Sequence, residues 1–149
     1  MFNNSNIQLN NIHDVELILS EHDSRSLSTT DFRSDELANA FRIGRKVYFT
    51  QKFELDSISN KRQGWSEDRL LDMINKLLNH FKIKGIEKLE QFNKHILSND
   101  VLNEIESHIP PIIVSKLPDG TIHLVEGNHR VALAEMFFGL NKIRAFIID

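Results

Sequence analysis

The sequence contains no cysteine. Disulfides and thiolate-held metals are therefore excluded, and a reducing compartment is compatible with the chain. No run approaches the ~18 consecutive apolar residues of a membrane span. The first residues also lack the basic-then-apolar order of a secretion signal. The expectation is a cytoplasmic protein with no membrane partner. No G-x-x-x-x-G-K-[S/T] stretch occurs, so this is not a P-loop chain. The seven histidines, at positions 13, 22, 80, 95, 108, 123 and 129, form neither a His-Glu-x-x-His motif nor another metal-ligand spacing, and no metal residue is assigned. No Ser-His-Asp triad can be put together from motifs, and there is no internal repeat. Neither sign of charge dominates: Lys and Arg number 18, Asp and Glu 21, for a net charge of −3. That balance does not support nucleic acid as a partner of the whole surface. A local basic strip, Arg42, Arg45, Lys46 and Lys52 with Tyr48 and Phe49, reads better as solvated charge at a strand edge.

What is present suits a single domain over residues 1–149. Hydrophobic residues make up 40% and charged residues 26%, enough for a sizeable core. Residues 1–11 are Asn-rich and read as a loose tail. Ile12 to Leu19 is apolar enough for a helix or a strand, and Ser20 to Thr30 reads as a loop. Ser34 is placed as a helix cap, with Asp35 and Glu36 in the first turn, Leu37, Ala40 and Phe41 buried, and Gly44 as the stop. Val47 to Ile58 alternates as a strand, with Val47, Phe49, Phe53 and Leu55 on one face and Gln51 breaking the pattern. Ser66 caps a helix carrying Leu70, Ile74, Leu77 and Phe81, and Trp65 is placed as a hydrophobic staple. A second helix is expected over Ile86–Leu97. A third, capped by Asp100, carries Leu102, Ile105 and Ile109 and stops at Pro110-Pro111.

The stretch from Pro111 to Ile148 is the most informative. Strands over Pro111–Lys116 and Thr121–Val125 flank the turn Pro118-Asp119-Gly120. The chain then runs through Glu126-Gly127-Asn128-His129-Arg130 into a helical pattern of Ala132, Leu133, Met136 and Phe137, closed by Gly139. Lys142–Ile148 is a last strand. A glycine at a strand-to-helix junction lets a ligand come close to backbone, and the first helical amides have no intrahelical partner. Such amides, with the positive end of the helix dipole, favour anions. Arg130 adds a forked cation, His129 a titratable donor and Asn128 a neutral amide. The plainer alternative is that Asn128 caps the helix while His129 and Arg130 are solvated.

This order of motifs resembles the ParB/sulfiredoxin-like family, over about 40 residues. The family opens a helix with a glycine, a variable residue and then His-Arg or Arg-Arg, which stands here as Gly127-Asn128-His129-Arg130. It is nearest the members that carry Gly-x-His-Arg, such as the free-serine kinases, with Glu126 in place of their Asp. The resemblance implies an α/β (α+β) fold with a small mixed sheet, flanking helices and, by comparison with relatives, an inserted helical layer at 82–109. It places nucleotide phosphates on Gly127, Asn128, His129 and Arg130. Lys61 and Arg62 stand where the family has its first signature, a polar loop facing the phosphates, without its usual proline. They are the remaining phosphate-binding candidates, with a simple solvated loop as the alternative. The implied nucleotide is ATP, ADP or CTP, with Mg²⁺ carried on its phosphates.

Sulfiredoxin chemistry is excluded, because Asn128 occupies the position of the nucleophilic cysteine. The expected activity is phosphoryl transfer to a small hydroxyl acceptor, with Glu126 and His129 as catalytic candidates; a carboxylate at 126 equally suits orienting Arg130. The alternative is a non-catalytic, nucleotide-gated module of bacterial or phage type acting on DNA or a protein partner. A nuclease lacks the carboxylate cluster it would need.

Overall fold

A computed structural model describes residues 6–60 and 64–149. It is an α+β fold built on one five-stranded mixed sheet. In chain order the elements are β1 (Ile7–Leu9), α1 (Ile12–His22), α2 (Ser34–Arg42), β2 (Val47–Glu54), α3 (Glu67–His80), α4 (Asn99–His108), β3 (Ile112–Lys116), β4 (Ile122–Glu126), α5 (Asn128–Ala132) and β5 (Lys142–Ile148). The strands lie side by side as β1-β2-β5-β3-β4. Only β3 and β5 run parallel; every other neighbouring pair is antiparallel.

Both faces of the sheet are covered. On one face, Val47, Phe49, Ile113, Phe146 and Ile148 meet Val15 of α1 and Leu37 and Ala40 of α2. On the other, Phe53, Ile112, Val114, Ile143 and Ala145 meet α3, α4 and the α5 region through Leu70, Ile74, Ile105, Val131 and Leu133. The expectation that Val47, Phe49, Phe53 and Leu55 share one face is therefore corrected. The pairing slips between Thr50 and Phe53, where β2 inserts an extra residue against β5. A one-residue bulge exchanges the two faces of a strand. Val47 and Phe49 thus point to one helical layer and Phe53 and Leu55 to the other. Gln51, which interrupts the alternation, sits in that bulge.

The helix α3 follows its pattern closely. Ser66 caps it by accepting from the Arg69 amide at 3.3 Å, and Leu70, Ile74 and Leu77 are buried. Trp65 packs against the same core. Other expectations need correcting. Residues 7–9 are not a loose tail but the edge strand β1, paired with Val47–Phe49. The helix expected over Ile86–Leu97 is absent; two short 3₁₀ turns, Leu89–Gln91 and Lys94–Ile96, stand there instead. Side chains have captured the backbone groups a helix would use. Asn75 bonds both the N–H and the C=O of Ile86, and Gln91 Oε1 accepts from the amides of Glu87 and Lys88. The cap of α4 is Ser98, one turn before Val101, rather than Asp100. Finally, α5 runs into a π turn, Leu133–Phe137. That wider turn rotates the buried register. Ala134 and Phe138 go inside, while Met136 is 47% exposed.

Candidate functional site

The Glu126–Arg130 run lies where the two helical layers meet. Glu126 pairs across the sheet with Ile113, while Leu124 pairs with Val114. Opposed residues share a face, so the slip between these pairs turns Glu126 away from Leu124 and toward the α1–α2 layer. There its two carboxylate oxygens accept from the Arg33 backbone N–H at 2.8 and 3.0 Å. Arg33 immediately precedes α2, so a negative charge is held at that helix's positive end. The Glu126 carboxylate also lies 3.6 Å from the Arg130 guanidinium.

Gly127 makes the turn possible. Its φ is +116°, and a Cβ there would lie 2.5 Å from Ile112 Cγ2. Both the left-handed backbone and the contact with β3 demand glycine. Asn128 faces the loop before α3, with its side-chain amide beside Gly64. His129 reaches that loop too: its Nε2 accepts from the Ser66 N–H at 2.9 Å. The imidazole must be neutral to accept there, and burial, then the charges of Arg69 and Arg130, hold its pKa below the ordinary value. His129 thus fastens the start of α3. Among the described residues no group of three or more acidic, His or Cys side chains could hold a metal ion.

Arg130 is not solvated. It is only 7% exposed, its Nη1 donates to the Pro111 carbonyl at 2.9 Å, and its guanidinium sits 5.5 Å from the Phe32 ring centre. Burial lowers its pKa and Glu126 opposes that shift. One part of the side chain still reaches a cavity of about 270 Å³ between α3, the α1–α2 loop and the α4–β3 corner. Arg130 and Pro110 lie on one side of it. Arg69, Asp72, Met73 and Lys76 of α3 lie on another, and Leu27, Ser28, Thr30 and Asp31 close it. Arg69 stands 3.5 Å from Asp31, and Lys76 stands 3.0 Å from Asp72.

The residues singled out in the sequence are therefore divided. Arg130 lines the cavity, while Glu126, Gly127, Asn128 and His129 build the frame around it. Lys61 and Arg62 lie outside the described residues; of their neighbours, Asn60 bonds the backbone of Leu124 on β4. The cavity residues not anticipated are Arg69, Lys76, Ser28, Thr30 and Asp31. One signal for them was available: positions 69, 72, 73 and 76 repeat at i, i+3, i+4 and i+7, a second stripe on α3 beside its apolar one.

Of the basic strip, Phe49 is buried and Arg45 bonds the carbonyls of Lys116 and Ile148. No helix among the described residues is long and apolar enough to cross a membrane. No family model, curated protein or solved structure matches the chain.

Proposed function

We propose that the chain is a ParB/sulfiredoxin-like domain that binds the phosphates of a nucleotide in the cavity where Arg69, Lys76 and Arg130 converge. One observation carries this reading: a buried, fully oriented guanidinium meets two further cations across a cavity that also holds the hydroxyls of Ser28 and Thr30. Forked and point cations with hydroxyl donors suit phosphate oxygens. The acidic partners are weak competitors. Arg69 and Asp31 are 50% and 74% exposed in their side chains, and exposed pairs contribute little, so an incoming phosphate displaces them at small cost. Mg²⁺ would ride mainly on phosphate oxygens, with Asp31 or Asp72 as its protein contact.

Binding is better supported than phosphoryl transfer. A base must be free to take the acceptor's proton. Both oxygens of Glu126 are engaged by Arg33, and Nε2 of His129 by Ser66. In this arrangement Glu126 positions Arg130.

The test is thermal stability with ATP, ADP, CTP or GTP and Mg²⁺, on wild type and Arg69→Ala. A nucleotide at about a hundred times its Kd should stabilise the wild type by roughly 2.7 kcal/mol. The variant should lose most of that gain. Arg69 is the better probe than Arg130, whose removal would disturb the fold itself. A wild type indifferent to all four nucleotides would sink the proposal. Faster nucleotide consumption on adding a hydroxyl acceptor would restore the transfer reaction.

A further inference from the structure

One wall of the cavity is a strap, residues 26–33, whose Leu27 packs in the α3-side core and whose Phe32 packs in the α1–α2 core. Its far end is tied at Arg33 by Glu126. Its near end is tied by two buried histidines. His22 closes α1 and is 1% exposed; its Nε2 lies 2.7 Å from the Leu27 carbonyl. His108 closes α4 and is 2% exposed; its Nδ1 accepts from the Ser26 N–H at 3.1 Å and lies 2.9 Å from Ser26 Oγ. Between these ties stand Ser28, Thr30 and Asp31, all on the cavity.

The hydrogen bonds fix the protonation states. His22 Nδ1 lies 2.8 Å from Arg144 Nη2, which can only donate, so Nδ1 must be the bare acceptor and Nε2 the N–H that holds Leu27. His108 Nδ1 faces a backbone N–H, so it too must be bare. A proton added at either Nδ1 sets donor against donor.

We propose that the strap is a pH-sensitive wall of the cavity: protonation of His108 breaks its bond from Ser26 and releases residues 26–31 while the sheet stays folded, and protonation of His22 loosens the same corner only through its clash with Arg144. As control of ligand binding, this rests on the phosphate reading above; as motion of the strap, it does not. The charges around the two rings point the same way. At His22 the Leu27 carbonyl and, more weakly, Asp23 favour a cation, while Arg144 of β5 and Arg25 disfavour it. His80 of α3, Arg25, His22 and Arg144 all disfavour one at His108, whose ring also packs against His80 and Phe81. Burial comes first in both cases, and both imidazoles are pushed down to about 4. Below the ordinary 6.5, His108 therefore raises the open fraction of the strap by up to about tenfold per pH unit.

The test is backbone relaxation by NMR on the whole chain between about pH 7.5 and about pH 4.5. Order parameters for residues 26–31 should fall from roughly 0.85 to below about 0.6, with those of β5 unchanged. In His108→Asn, Oδ1 can replace Nδ1 as acceptor without titrating, and the transition should move to lower pH. If that variant fails to fold, the wild-type titration still decides. A strap as ordered as β5 down to global unfolding overturns the proposal, as does a His108→Asn strap that loosens at the wild-type pH. ATP with Mg²⁺ is titrated in parallel. Affinity that falls with strap order supports control of the cavity, and affinity unchanged through the transition overturns it. If ATP binds at neither end of the range while the strap still loosens, the phosphate reading fails and the strap stands.

Discussion

Two arginines grip the same corner of the molecule from opposite sides, and they are neutralised differently. Arg130 holds the carbonyl of Pro111, where β3 begins. Arg144 holds those of Ser107 and Ile109, where α4 ends, at 3.1 and 2.7 Å. Arg130 has a carboxylate beside it, Glu126 at 3.6 Å. Among the described residues Arg144 has no close ion pair: Glu106 attracts it from farther away, its Nη2 meets a neutral imidazole, and its Nε is buried with no partner. A buried cation with its own anion is tolerated across a wide pH range. One that depends on an uncharged ring is tolerated only while the ring stays uncharged. The cavity lies on the Arg130 side, and its strap is tied down from the Arg144 side.

The most direct way to break this contrast is Glu126→Ala. It strips the buried Arg130 of its counter-charge and leaves the Arg33 amide without its acceptor. The expected loss is about 3–5 kcal/mol, read by chemical denaturation, because an unpaired buried charge is left behind. A loss under about 1 kcal/mol would mean that Arg130 owes nothing to its anion, and the contrast with Arg144 would collapse. Gly127→Ala should cost several kcal/mol by another route. It forces a side chain into the left-handed region and against Ile112.

Acidification comes next. The histidines at 22 and 108 have folded pKa values near 4, below the ordinary 6.5. The unfolded chain therefore binds more protons between those values, so their share of stability is whole above pH 6.5 and drains away as the pH falls toward 4. By about pH 5 the loss should be on the order of 1 kcal/mol for each ring, after allowing for solvent screening. Denaturation of His22→Gln measures the share of one ring: its pH slope should be shallower than that of the wild type. An identical slope would assign the acid sensitivity elsewhere.

These two sites were unequally legible in the sequence. The helix α3 could be placed from Ser66 and its apolar spacing, and β3, the Asp119-Gly120 turn, β4 and β5 from their runs of Ile, Val and Leu. Such features are local, so composition and period carry them. The bulge at Gln51 left a trace, a broken alternation, but not its consequence, because a change of face needs the partner strand. Residues 7–9, Ile-Gln-Leu behind an Asn-rich start, are too short to read as a strand until β2 is beside them. Arg130 stood out because it follows a glycine at a strand-to-helix junction. Its inward direction depends on Pro111 and Phe32, distant in the chain. Arg69 and Lys76 share a second stripe on α3, but what that stripe faces depends on residues 27–31, distant in the chain. Nothing near His22 or His108 in sequence hints that Arg144 and Ser26 are their partners.

The smallest effect on stability should come from Asp31→Asn, and it sharpens the contrast most at the ligand. The Arg69–Asp31 contact is 3.5 Å long and largely exposed, so its loss should change stability by less than about 0.5 kcal/mol. Glu126 cannot leave Arg130 so cheaply. If the cavity takes phosphates, Asp31 is the anion that a phosphate must replace at Arg69. Asp31→Asn should then bind metal-free ADP several-fold more tightly by calorimetry, with the gain shrinking as salt is added, since screening weakens what the carboxylate contributed. Omitting Mg²⁺ keeps any role of Asp31 as a metal contact out of the comparison. Unchanged or weaker binding would show that phosphates do not meet Arg69, and the anion site would have to be sought nearer the amides at Asn128.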